Sequence, residues 1–145
     1  MKQSKSSSMI LLMSCFSLSA YSAHAKDLVL QSIQNLDEAE FRSSEGNYFR
    51  LIQLNRGCRI EARYYLEMEN LLFSYKFIDQ KLLHASRKTF RYHYKEGQEG
   101  SLMAVTGVYQ HSSETYKLDD LNVQSEFKKY QALFPTRYLK QCIYS

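Results

Sequence analysis

Glycine and proline are scarce in this 145-residue chain, which has five and one respectively. Gly46, Gly57, Gly97, Gly100 and Gly107 never gather into the glycine-rich patterns whose backbone amides cradle the phosphates of a nucleotide. A nucleotide-binding fingerprint is therefore missing. No Pro- or Gly-rich linker, internal repeat or low-complexity tract interrupts the chain, so nothing in it marks a second domain. The Gly-x-Ser-x-Gly elbow of a serine hydrolase is missing too.

Long apolar runs are also missing. The longest stretch, Met9 to about Tyr21, spans roughly 13 residues against the ~20 that cross a bilayer, so no transmembrane segment is expected. It follows Lys2 and Lys5 and precedes Ala23-His24-Ala25, the layout of a secretory signal cleaved after Ala25. Leu12-Met13-Ser14-Cys15 offers a second reading, a lipoprotein box that anchors the chain by lipid at Cys15. Met13 suits that box poorly, and processing there would leave an apolar core of only about five residues, shorter than usual. The expected product is a periplasmic or secreted domain over 26–145, after a discarded 1–25.

Excess charge of one sign is small. With Lys2 and Lys5 removed in the leader, 17 basic and 15 acidic residues remain, a formal charge of +2. A nucleic-acid partner is not expected from so small a surplus in an exported chain. Cysteine is rare: only Cys58 and Cys142 remain after the leader, and without a Cys-x-x-Cys spacing they read as a structural disulfide. Closing that 84-residue interval would restrict the unfolded chain by about 4–5 kcal/mol in the loop-entropy description.

The remaining residues are patterned. Val29, Ile33, Leu36 and Ala39 recur at helical spacing and predict a helix over 28–41, ended by Ser43-Ser44-Glu45-Gly46-Asn47. Tyr48 to Leu54 fits either a strand or a helical turn. Cys58 to Leu66 alternates at period two, with Cys58, Ile60, Ala62, Tyr64 and Leu66 on one side and Arg59, Glu61, Arg63 and Tyr65 on the other. Leu71 to Ile78 alternates likewise, Asp79-Gln80 reads as a hairpin turn, and a third strand starts at Lys81.

That strand contains Lys88-Thr-Phe-Arg-Tyr-His-Tyr-Lys95, whose Phe90, Tyr92 and Tyr94 are expected inward and whose Arg91 and His93 are expected outward. Leu102 to Tyr109 is a further strand, with a turn at His111-Ser112-Ser113 and a short strand near Tyr116. After Asp119 or Asp120 as cap, Val123, Phe127, Tyr130 and Phe134 predict a helix ended by Pro135. The expected fold is α+β: an antiparallel sheet of four to five meandering strands flanked by an N-terminal and a C-terminal helix.

Chemistry-bearing sets are thin. His84, His93 and His111 lack metal-ligand spacing, so neither a metal nor any other cofactor is expected. Glu61, Glu67, Glu69 and Asp79 lie near strands or turns, where carboxylates are usually solvated. The outward set Arg59, Arg63, Tyr65, Arg91 and His93 is rich in the residue types that dominate protein interfaces, and it is the candidate binding face. The plain alternative is a solvated face of mixed charge, Glu61 included.

The leading functional expectation is an exported, disulfide-bonded binding protein without catalysis. One such role is an inhibitor or immunity protein acting on an envelope enzyme or toxin, so the expected partner is a protein in the envelope or outside the cell. An envelope accessory protein, working in assembly or in lipid or glycan binding, is the alternative; an unrecognised hydrolase comes third. Intact-mass measurement of the exported protein should find a chain beginning at Lys26 and two hydrogens lighter than the dithiol; a mass carrying both thiols would refute the bridge.

Overall fold

A computed structural model describes residues 27–143. The leader expected over 1–25 and Cys15 lie outside the described residues. Six antiparallel strands follow the chain order β1 to β6: β1 (Leu28–Gln34), β2 (Asn47–Gln53), β3 (Cys58–Tyr65), β4 (Glu69–Ile78), β5 (Lys81–Tyr94) and β6 (Val105–Thr115). Two short helices follow, α1 (Leu121–Gln131) and α2 (Thr136–Leu139). The architecture is mostly sheet, with more strands than the expected four or five and both helices at the C-terminal end.

The N-terminal helix expected over 28–41 is instead β1 followed by a loop. A bulge between Val29 and Gln31 shifts the register of β1 on β2. It leaves Leu30 and Ile33, three residues apart, both packed against the core. A bulged strand thereby reproduces the i, i+3 spacing of a helix. Leu36 and Phe41 continue into the core from the loop, which Asn47 holds in place. The Asn47 side chain accepts from the Leu36 amide at 2.8 Å and donates to the carbonyls of Leu36 and Phe41 at 2.9 and 2.8 Å. Only 4% of Asn47 is exposed, so these bonds meet the polar needs of a segment that has no ladder of its own.

The undecided stretch from Tyr48 is strand β2, and the turn expected at His111-Ser112-Ser113 is absorbed into a longer β6. Gly57 closes the β2–β3 hairpin with φ +73°, where a Cβ would stand 2.2 Å from the Phe77 carbonyl oxygen. Only glycine fits that approach.

One face of the sheet is apolar. Phe49 and Leu51 from β2, Cys58, Ile60 and Ala62 from β3, Tyr75 and Phe77 from β4 and Ala85 from β5 meet Phe127 and Tyr130 of α1. The helix starts at Asp120, whose carboxylate caps the Asn122 amide at 2.8 Å. Lys128 and Lys129 occupy its last turn, where the macrodipole favours cations. The Cys58–Cys142 disulfide fastens the tail beneath the sheet, and the Asp79 amide donates to the Cys142 carbonyl at 2.8 Å.

The core carries tyrosines with little access to water. Tyr130 stacks on Phe49, with ring centroids 6.0 Å apart, and shares a 2.9 Å hydroxyl hydrogen bond with Tyr64. Burial, reinforced by that bond, pushes the Tyr130 hydroxyl far above the phenol range; burial does the same to Tyr75. In the unfolded chain both ionise near pH ~10, whereas in the fold they keep their protons. Stability is thus independent of these groups below that pH and is lost as pH rises above it.

Two outcomes follow from this packing. Asn47→Ala should lower unfolding free energy by about 2–3 kcal/mol, because it strands the half-buried amide and carbonyl of Leu36 and the buried carbonyl of Phe41, and denaturant titration reads the loss. Denaturation midpoints followed from pH 8 to about 11 should fall steeply above pH ~10, with Tyr75→Phe removing one tyrosine's share of about 1.4 kcal/mol per pH unit. An unchanged slope in Tyr75→Phe would show that its proton is not linked to folding.

Candidate functional site

The second face of the sheet is polar; α1, α2 and the 35–46 loop all contribute to the core on the opposite side. Register places its side chains in rows that run across β2 to β5. One row is Ile52, Arg59, Lys76 and His84; the next is Arg50, Glu61, Ser74 and Ser86; the third is Tyr48, Arg63, Leu72 and Lys88. Tyr65, Asn70 and Phe90 form a fourth. Within the first three rows stand five fixed cations, Arg50, Arg59, Arg63, Lys76 and Lys88, against one carboxylate, Glu61.

The arginines are held differently from the lysines. Arg59 pairs with Glu61 at 3.0 Å and with Asp27 at 3.2 Å, so its charge is largely balanced. Arg63 lies 4.8 Å above the Phe90 ring and 6.0 Å from the rings of both Tyr48 and Tyr65. Arg50 lies 4.3 Å above the Tyr48 ring. Guanidinium groups on aromatic faces gain about 0.5–2 kcal/mol each and keep their hydrogen-bond donors available. Lys76 and Lys88 make no ion pair among the described residues. With Arg50 and Arg63, which make none among the described residues either, they supply the unbalanced charge of this face.

Between the two lysines the floor drops. Ser74 and Ser86 are cross-strand partners, and these small side chains leave a hollow of about 310 Å³ walled by Arg59, Glu61, Leu72, Lys76, His84 and Lys88. The Nδ1 atom of His84 is buried and has no hydrogen-bond partner among the described residues.

Of the five residues expected to form one binding surface, the structure brings together Arg59, Arg63 and Tyr65. Arg91 and His93 lie on the opposite side of β5. Arg91 reaches Glu69 at 3.7 Å, and His93 stacks on Tyr109 at 4.4 Å. Phe90, Tyr92 and Tyr94, expected inward, share instead the face of Arg63.

The cause is one residue. The Asp79-Gln80 turn pairs Ile78 with Lys81 and Phe77 with Leu82, but Lys76 pairs with His84, so Leu83 is bulged out. Unbulged, the hairpin would turn His84, Ser86, Lys88 and Phe90 toward the core. The extra residue exchanges the two sides of the remaining strand.

Lys76, Lys88, His84 and the two serines therefore escaped sequence reasoning. The alternation of β4 placed Lys76 and Ser74 beside Leu72, but β5 could not be aligned with them without knowledge of the bulge. The Ser-x-x-Lys spacing of a serine–lysine pair, taken from the sequence to be missing, is in fact present at Ser125 and Lys128. On α1, Ser125 is exposed and Lys128 Nζ lies 3.4 Å from Gln131 Oε1, so the pair has no buried site to serve as nucleophile and base. Among the described residues no three His, Cys, Asp or Glu side chains converge as a metal site, and no helix is long and apolar enough to cross a membrane. Comparison with known protein families, curated proteins and solved structures finds no match to this chain.

Deleting Leu83 should leave thermal unfolding cooperative, because Phe77–Leu82 and Lys76–His84 then become successive pairs of a regular ladder and His84, Ser86 and Lys88 keep their side of the sheet. Loss of the cooperative melt would show that β5 does not keep these pairs without its bulge.

Proposed function

We propose that the mature chain is an exported binding protein without catalysis that holds an acidic protein partner against the polar face of its sheet. One such role is an inhibitor or immunity protein acting on an envelope enzyme or toxin. The observation that carries the reading is the excess of cations on this face, where Arg50 and Arg63 are braced on tyrosine and phenylalanine rings with donors to spare. Braced guanidinium groups lose little further conformational freedom on binding, and Arg and Tyr are the types that dominate interface energetics. The leader pattern in residues 1–25 and a disulfide, a bond typical of oxidising compartments, support the export part of the reading.

The test is capture of the partner on residues 26–145 from an envelope extract, followed by reconstitution of the complex from purified components. Arg50→Ala with Arg63→Ala should weaken the reconstituted complex at least tenfold, and raised salt should slow its formation. Arg91→Ala with His93→Ala, on the opposite face, should leave it intact. Equal loss from both pairs would discard this face, and recovery only with membrane or wall material would favour an envelope accessory.

A further inference from the structure

We propose that the hollow between Lys76 and Lys88 is a binding site for a phosphate group. This goes beyond the reading above, because it stands on the hollow's own donors whatever covers the rest of the face. Its lining is donor-rich from several directions. Lys76 and Lys88 flank it along the strands, Ser74 and Ser86 place two hydroxyls on its floor, and the His84 ring lines one wall. The one carboxylate of the lining, Glu61, is tied to Arg59 at 3.0 Å.

The count of charges selects the anion. Two lysines without ion pairs among the described residues match a phosphate monoester, which carries about −1.5 to −2 near neutral pH, whereas a carboxylate would leave one lysine uncompensated. The arrangement of donors agrees. Ser74 and Lys76 on β4 and Ser86 and Lys88 on β5 line the hollow on its floor and on two sides, which suits four tetrahedral oxygens better than the two coplanar oxygens of a carboxylate. At about 310 Å³ the hollow is at the small end of ligand sites and exceeds a single oxyanion. The remaining space, walled by Leu72, suits the first carbons attached to the phosphate.

The site exists because serines stand where β-strands usually carry larger side chains. Ser86 is 9% exposed, buried beneath its neighbours' stems without serving the apolar core. A packed sheet face has no need of that gap.

Titration of the oxidised chain 26–145 with inorganic phosphate and with glycerol 3-phosphate, at constant ionic strength and with backbone amide shifts as readout, tests the assignment. Both probes should give saturable shifts concentrated at Ser74, Lys76, His84 and Ser86, and acetate should bind at least tenfold more weakly. Lys76→Gln with Lys88→Gln should weaken phosphate binding at least tenfold with little change in thermal midpoint. Ser86→Leu, which fills the hollow but keeps both lysines, should also abolish it. Acetate binding as tightly as phosphate, shifts spread over all lysines without saturation, or full binding by either variant would overturn the proposal. Co-sedimentation with phosphatidic acid vesicles, measured against phosphatidylcholine alone, then separates the sources: retention identifies a lipid headgroup, and phosphate binding without retention identifies a soluble ligand.

Discussion

Tyr130 sits at the meeting point of the core, its ring within 6.4 Å of those of Phe41, Phe49, Phe73 and Tyr75 and its hydroxyl bonded to Tyr64. Phe127, one helical turn earlier, closes on Tyr75 and Phe77. These two side chains make an 11-residue helix sufficient cover for the centre of a six-stranded sheet. Aromatic side chains bury more apolar area than any others, so a short helix carrying two of them can replace a longer one carrying leucines. The disulfide completes the arrangement by tying Cys142, three residues after α2, to the first residue of β3, so the chain that follows α1 is held to the sheet as well.

How much of this could be read from the sequence divides along a physical line. Segments whose pattern is set locally were legible: the alternation of Cys58 to Tyr65, the capped helix from Asp120 to its end before Pro135, and the cysteine pair. Two bulges defeated the rest. In β1 the bulge at Leu30 gave a strand the spacing of a helix; in β5 the bulge at Leu83 exchanged the two sides of the strand. A bulge is a relation between two chains of backbone, and hydrophobic period along one of them carries no record of it. The candidate site was accordingly half legible. Arg59, Arg63 and Tyr65 belong to a strand read correctly, whereas Lys88, His84 and Ser86 depend on the register of the next hairpin.

The same bulge links structure to chemistry. Leu83 is itself 45% exposed, a large apolar side chain given up to solvent, and in return β5 presents Lys88 and His84 beside Lys76 rather than to the core. Placing two lysines without salt bridges among the described residues on one sheet face is unfavourable for folding, and the aromatic supports under Arg50 and Arg63 add rigidity without neutralising anything. Stability comes from one face of the sheet and is spent on the other.

The position of the covering helix along the chain has a further effect, one of timing. The apolar side of β2, β3 and β4 is complete by Ile78, yet Phe127 and Tyr130 lie some fifty residues later, and Cys142 later still. A chain emerging from a ribosome or a pore therefore exposes a nearly finished aromatic sheet before its cover exists. Its unpaired edge and apolar face are in that interval a template for other chains, so this fold relies most on protection from association while its last quarter is being made.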